Sequence, residues 1–311
     1  MTITQLEYII AVDTYRSFGE AAKKCFVTQP TLSMQIKKLE EELNVLVFDR
    51  SKKPVLTTDI GRKIVEQARV TVLEASRIKE VIHNQKDEVQ GLLRVGIIPT
   101  LSPYLLPIFI TRFTEKYPDV TVSIEELLTE QIVEKLDHDL LDVGILVTPL
   151  KVASLVEVPL FYEPFLAYSS KSYAISQKPT ISFKDLNLND VWLLKEGHCF
   201  RNQVINICGD KLDVADKQLQ FESGSLETLK KIVEQQDGFT LLPELATLDF
   251  PKEKRQYLKA FNAPQPIREV SLIIHRTFLK KKLIELFRAE ILENIPSRML
   301  QKEHGRVIPW K

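Results

Sequence analysis

The sequence predicts three parts in line: an α-helical winged helix-turn-helix, a long linker helix, and an α/β domain of two lobes. Three observations lead there. Over residues 1–58 apolar side chains recur at helical spacing, then give way to two short β-prone runs around a basic turn. From Thr58 to about His83 the chain has no Pro and a single Gly, which suits one uninterrupted helix. Beyond Gly91, apolar strands alternate with amphipathic helices, the pattern of parallel sheet with crossover helices.

Composition narrows the class. The 311 residues suit two or three domains, and 44% hydrophobic with 27% charged residues describes an ordinary folded chain. No apolar run approaches the ~18 residues of a membrane span. Glu7 and Asp13 interrupt any export signal, and three cysteines are too few and odd for a secreted disulfide scaffold. A cytoplasmic chain with reduced thiols is expected, and no membrane partner. Net charge is zero, so a polyanion would have to be met locally. Over residues 1–63 ten basic side chains face eight acidic ones, a weak excess.

Residues 4–13 have helical spacing. Ser17 is an N-cap with Glu20 three residues on, a capping box opening a short helix through Ala21, Ala22 and Lys24. Cys25-Phe26-Val27 breaks it, Cys25 reading as a small packing residue. Thr28 then caps a longer helix with Pro30 in its first turn and Leu32, Ile36, Leu39 and Leu43 on one face. Its other face carries Gln29, Thr31, Ser33, Gln35 and Lys37. Helix, tight turn and a second helix with polar groups near its start is a helix-turn-helix layout. Gln can hydrogen-bond adenine in the major groove, while Ser, Thr and Lys suit phosphates. Leu46–Leu56 reads as two short strands around Arg50, Lys52 and Lys53, a wing for the flanking backbone of double-stranded DNA.

Here the residues resemble a known family. Phe18-Gly19-Glu20-Ala21-Ala22, Val27-Thr28-Gln29-Pro30-Thr31-Leu32-Ser33, Gln35-Ile36-Lys37-Lys38-Leu39-Glu40, Phe48-Asp49-Arg50 and Leu56-Thr57-Thr58-Asp59-Ile60-Gly61 together look like the LysR-type transcriptional regulators. Met34 stands where many members have Arg. The resemblance implies a linker helix that pairs two winged helices on a two-fold promoter site, as a homodimer or homotetramer, with RNA polymerase as a partner. Ile60, Ile64, Ala68, Val72, Ala75, Ile78 or Lys79, and Ile82 supply an apolar seam suited to such pairing. The alternative is a helix packed on its own domain.

Asn84–Gly91 is polar and reads as a hinge. Strands are then expected at Leu92–Ile98, Val120–Ile124 and Leu141–Val147, with helices at Tyr104–Lys116 and Gln131–Asp137. A second unit over 165–265 contains strands at Val191–Lys195 and Phe239–Leu242 and a helix at Leu226–Gln235. Glu269–Arg276 and Lys281–Asn294 return to the first unit. The expected division is thus 1–58, 59–90 and 91–311, the last with lobe 1 at about 91–162 and 267–295 and lobe 2 at about 163–266. Two lobes joined by crossing strands form a cleft, where open sheets place ligands. The family resemblance makes this an effector-sensing domain similar to periplasmic binding proteins.

Cys199 and Cys208 fall in Gly197–Gly209. There Phe200, Val204, Ile207 and Cys208 form a helical apolar stripe punctuated by Gly at both ends. Nine residues of helix separate the two Cα atoms by roughly 13 Å, whereas a disulfide tolerates about 7 Å. The thiols can pair only if the helix comes undone, so the segment is a candidate redox switch. Cys199 at the helix start is expected to have a depressed pKa, supported by the helix dipole, His198 and Arg201. Cys208 is expected to be buried. On that chemistry Cys199 is oxidised to sulfenic acid and Cys208 resolves it as a disulfide.

Gly197-His198-Cys199, Arg201 and Cys208 resemble the peroxide-sensing, OxyR-like branch of the family. So do Ile98-Pro99-Thr100, Pro103-Tyr104-Leu105-Leu106-Pro107, Glu157-Val158-Pro159-Leu160, Ser225-Leu226-Glu227-Thr228-Leu229 and Leu241-Leu242-Pro243. This resemblance implies that Thr100 and Thr129 hold hydrogen peroxide, with Arg268 a basic group near the thiol and a thiol reductant resetting the switch. Bland readings make Thr100 a strand-end hydroxyl and Thr129 an N-cap. No metal site is expected, because CxxC-type spacing is missing, and no cofactor. The alternative is a LysR-type sensor of a small organic effector with incidental cysteines. A thiol peroxidase using Cys199 is not expected, since an enzyme would have no need of a winged helix and a pairing linker helix. The tail after Ile295 departs from the family and suggests no role.

Overall fold

The computed structural model describes residues 1–83, 89–209, 223–276, 281–302 and 305–310, with backbone alone at 73, 76, 77, 79–83 and 281. The hinge residues 84–88 and the side chains of Lys79 and Ile82 lie outside the described residues. The chain forms two compact units, Met1–Glu88 and Val89–Lys311.

In the first unit α1 (Ile3–Tyr15) opens with a reciprocal cap between Thr2 and Gln5 and buries Leu6, Ile9 and Val12. For α2 (Phe18–Lys24), the Ser17 hydroxyl accepts from the Glu20 amide as expected. The other half of that box is not formed, because the Glu20 carboxylate takes Lys23 Nζ at 2.7 Å instead. Thr28 caps α3 (Gln29–Leu43), which buries Leu32, Ile36 and Leu39. The wing is a two-strand antiparallel pair, β1 (Phe48–Asp49) and β2 (Leu56–Thr57). Buried Glu40 on α3 ties it down, accepting from the Val47 and Phe48 amides and from Arg50.

The linker helix is α4 (Asp59–His83). Only part of its expected exposed seam is exposed. Val65 and Ala68 are buried and Ile64 and Val72 half-buried in the core of this unit, while Arg69 pairs with Asp13 at 3.1 Å. A helix start beside α1 buries its apolar side there first. Ile60, Val70 and Ile78 stay exposed, Ile78 by 70%. Gly61 sits where this helix leaves the wing: a Cβ there would lie 2.1 Å from the Val47 carbonyl oxygen. Gly61→Ala must therefore move backbone, and overpacking of this kind costs about 3 kcal/mol. Calorimetry should show the first unit melting several degrees lower; an unchanged melt would show that the junction relaxes freely.

In the second unit β3 (Gly91–Ile97), α5 (Ser102–Lys116), β4 (Val120–Glu126), α6 (Thr129–Asp137) and β5 (Val143–Thr148) build the first lobe. Here β3 lies parallel to both β4 and β5, as strand-helix alternation requires. The long strand β6 (Leu155–Ser169) leaves this lobe, and β7 (Thr180–Ile181), α7 (Cys199–Cys208), α8 (Leu226–Gln235), β8 (Phe239–Pro243), α9 (Lys252–Arg255) and β9 (Leu258–Phe261) make the second. Then β10 (Gln265–His275) returns antiparallel to β6 and β5, followed by α10 (Lys281–Asn294) and β11 (Gly305–Val307). The sheet order is β4-β3-β5-β10-β6-β9-β7, with β8 on β6 and β11 on β10. Val191–Lys195 is not a strand. Its Trp192 and Lys195 amides reach carbonyls on two different partners, Phe239 and Ser223, so no ladder develops.

Each lobe has its own core. One contains Ile97, Leu105, Phe109, Ile145 and Phe287; the other contains Phe165, Phe200, Val204, Leu229 and Phe239. Between them, Tyr104 on α5 donates to Glu227 on α8 at 2.7 Å.

Candidate redox site and nucleic-acid interface

The crossing strands hold the polar centre. Arg268 on β10 and Glu163 on β6 stand side by side in the antiparallel register, and both are wholly buried. Arg268 Nε donates to Glu163 at 2.8 Å, Nη1 to the Thr100 hydroxyl at 3.0 Å and Nη2 to the Thr100 carbonyl at 3.1 Å. The second Glu163 oxygen accepts from the Leu245 amide. Burial pushes the Glu163 carboxyl up, with Arg268 pulling the other way. The guanidinium also lies 5.6 Å from the centre of the Phe200 ring, one residue into α7. Thr100, which the resemblance makes a peroxide-holding hydroxyl, is buried and bonded to Arg268.

Helix α7 begins at Cys199 and ends at Cys208, capped at Gly209 with φ 96°. The backbone at Gly197 is also left-handed, φ 89°, which suits Gly just outside the helix. All three cysteines are free. Cys199 is buried, and that burial pushes its thiol pKa up, against the expected depression. The Thr129 hydroxyl, Arg268 and the amides at the helix start all favour the thiolate, but desolvation outweighs them. The helix-end effect has the expected sign and loses to burial. Cys208 is half-buried, and burial pushes its pKa up to about 12.

The supporting groups are partly redistributed. Arg201 spends its guanidinium on the Leu194 carbonyl at 2.9 Å, and the cation acting on Cys199 is Arg268. His198 is buried, with Nε2 unpartnered among the described residues, and burial lowers its pKa, so it favours the neutral form. Thr129 is the first residue of α6 rather than its cap; Leu128 holds that place. The Thr129 hydroxyl is near enough to act on the Cys199 sulfur, yet it completes no hydrogen bond of ordinary geometry among the described residues. Thr129 also lines a groove of about 350 Å³ with Glu130, Val133, Leu150 and Trp310. Sequence reasoning missed Glu163 and Phe200. For Glu163 a signal existed: it alternates with Phe161 and Phe165 on one strand face, a lone carboxylate between buried aromatics.

In the first unit Gln29, Thr31 and Lys37 are exposed on α3, and Lys52 and Lys53 are exposed in the wing turn. Ser33 and Gln35 are half-buried and engaged: Arg50 donates to Ser33 at 3.1 Å, and Gln5 donates to Gln35. Arg50 also pairs with Glu40 and lies over Phe18, so it braces the wing against α3. Phe26, in the turn at φ 56°, is 95% exposed.

Comparison with known proteins fits both units. Residues 3–62 match the bacterial regulatory helix-turn-helix model of the lysR family, and residues 86–296 match the LysR substrate binding domain. The chain belongs to the LysR family of DNA-binding transcriptional regulators. It is 37% identical to the hydrogen peroxide-inducible genes activator of Haemophilus influenzae, covering 88% of this chain and 90% of that one. It is likewise 37% identical to the DNA-binding transcriptional dual regulator OxyR of Escherichia coli K12, covering 88% and 89%. A full-length OxyR variant from Pseudomonas aeruginosa superposes with a TM-score of 0.79 at 35% identity, covering 95% of this chain and 99% of that one. Among the described residues no helix is long and apolar enough to cross a membrane.

Proposed function

We propose that this regulator activates transcription in response to hydrogen peroxide through Cys199 and Cys208. The observation that carries the reading is the position of Cys199. The buried Arg268 guanidinium and the Thr129 hydroxyl both favour its thiolate, and it starts a helix whose far end holds the second cysteine. The Cys199 thiolate attacks one peroxide oxygen, the O–O bond breaks, and protonated hydroxide leaves as water. Cys199 becomes sulfenic acid. Cys208 then attacks that sulfur as a thiolate, the S–O bond breaks, and a second water leaves. Arg268 stabilises the attacking thiolate, and Thr129 and Thr100 offer hydroxyls to peroxide, with His198 close by in sequence. A thiol reductant returns both cysteines.

Refolding of α7 then changes the lobes and re-spaces paired DNA-binding units. The subunits pair along the exposed Val70 and Ile78 of α4, as a dimer or a tetramer. Gln29, Thr31 and Lys37 meet base edges and backbone in the major groove of duplex DNA, while Lys52 and Lys53 meet flanking phosphates. Ser33, Gln35 and Arg50 add to the same DNA contact, Arg50 while also bonded to Ser33 and Glu40.

The deciding experiment is brief exposure of the full chain to low-micromolar peroxide, followed by alkylation and peptide mass mapping. The expected product is a Cys199–Cys208 peptide two hydrogens lighter than the reduced pair. Two alkylated, unchanged thiols would overturn the reading and favour an organic effector in the cleft.

The raised thiol pKa gives a second expected result. Below it the thiolate fraction climbs about tenfold per pH unit, so oxidation should accelerate nearly tenfold per unit from about pH 6 to 8. Quenched-flow alkylation measures this; a flat profile would mean that the thiolate is not the attacking species. Stability runs the other way. Both thiols titrate higher folded than unfolded, so their contribution is complete below the ordinary thiol pKa. It is lost as pH rises toward the folded values.

A further inference from the structure

The last described residues lie directly on the redox helix. Strand β11 pairs in parallel with the start of β10, and the Ile308 amide continues the pairing by donating to the Ile267 carbonyl at 2.9 Å. The next three backbone carbonyls all accept from side-chain amides of α7. Gln203 donates to Ile308 at 2.9 Å, Asn206 to Pro309 at 2.8 Å and Asn202 to Trp310 at 3.0 Å. The two side chains beside these carbonyls diverge. Ile308 is buried in the core of the second lobe, and Trp310 in the core of the first, where its indole donates to the Pro149 carbonyl at 3.0 Å. Both lobes and α7 thus hold this segment.

We propose that residues 305–310 are a latch, which keeps α7 helical in the reduced protein and staples the two lobes while it does. The inference rests on the redox reading above for what releases it. Residues 202, 203 and 206 present their amides to one side only while the segment is helical, since positions four apart stack on one face. Drawing Cα atoms from roughly 13 Å apart to within disulfide reach of about 7 Å destroys that spacing. The row of three bonds cannot survive intact, so the bridge and the latch exclude each other. Release of 305–310 withdraws Ile308 and Trp310 from the two cores together. A chemical event at one helix thereby loosens the relation between lobes.

The test uses the full chain carrying Asn202→Ala and Asn206→Ala, both at exposed positions that leave the cores intact. Hydrogen exchange on the reduced variant should show α7 and residues 305–310 exchanging about tenfold faster, with β3 and β5 unchanged as the control for folding. After peroxide, the bridge should form about tenfold faster than in the parent, the effect of two ordinary hydrogen bonds. In the oxidised parent, 305–310 should lose its protection. Unchanged α7 exchange in the reduced variant overturns the latch whatever peroxide does. A bridge that forms while 305–310 stays protected overturns its release. If the parent forms no bridge, the redox reading falls instead, and the reduced-state exchange still decides whether the segment holds the helix.

Discussion

With Cys199 replaced by Ser, peroxide is expected to leave this regulator unswitched: no 199–208 bridge forms and transcriptional induction falls to background. A hydroxyl at this position cannot be taken to the sulfenic acid level, and Cys208, its pKa near 12, offers almost no thiolate to replace it. Folding should hardly notice. A serine hydroxyl can bond within the same pocket, and the cost is about 1 kcal/mol. Cys208→Ser should separate the steps, with sulfenic acid trapped by dimedone on Cys199 and no intramolecular bridge. Mass mapping and a promoter reporter, run on both variants and the parent, test this. Normal induction in Cys199→Ser would remove the cysteine from the mechanism altogether, whatever the relatives do.

Arg268→Met is expected to produce the largest loss of stability. It leaves Glu163 buried without its partner, and breaking a buried pair in this way costs about 3–5 kcal/mol. The hydroxyl and carbonyl of Thr100 lose their donor as well. Adding Glu163→Leu should restore most of that loss, because a buried ion pair replaced by apolar side chains is often neutral. The double variant then isolates the chemistry. Its fold is repaired, yet the cation favouring the Cys199 thiolate is gone, so peroxide oxidation should remain slow and shift to higher pH. Urea unfolding and oxidation kinetics on the single and double variants read the two effects separately. Recovery of the oxidation rate along with stability would show that Arg268 only supports the fold.

What could be read from the sequence was local. Thr28 and Pro30 mark the start of α3, and Gly197 and Gly209 bracket α7, because caps and left-handed turns depend on a few adjacent residues. The parallel arrangement of β3, β4 and β5 follows from alternating strands and helices. Tertiary surroundings were not legible in the same way. The pKa of Cys199 depends on how deeply lobe packing covers it, and a helix-end argument sees only one small contribution. Glu40 of α3 and Phe18 of α2 hold Arg50, so a residue read from the sequence as a phosphate contact also braces the wing, which the sequence does not show. The linker seam was legible as an apolar face, but its division into a part packed in the first unit and an exposed part was not, since apolar spacing does not show what covers a face. Residues 305–310 left no periodic signal, since their bonds to α7 run through backbone carbonyls, which every sequence possesses.

The depth of the two thiols has a consequence for signal handling. On the proposed chemistry, a molecule struck once by oxidant is still silent until its helix opens and the distant thiol ionises. A sulfenic acid returned to the thiol before then leaves no message. Such a device ignores brief pulses and records sustained ones, behaving as a low-pass filter whose time constant is the opening time of ten residues.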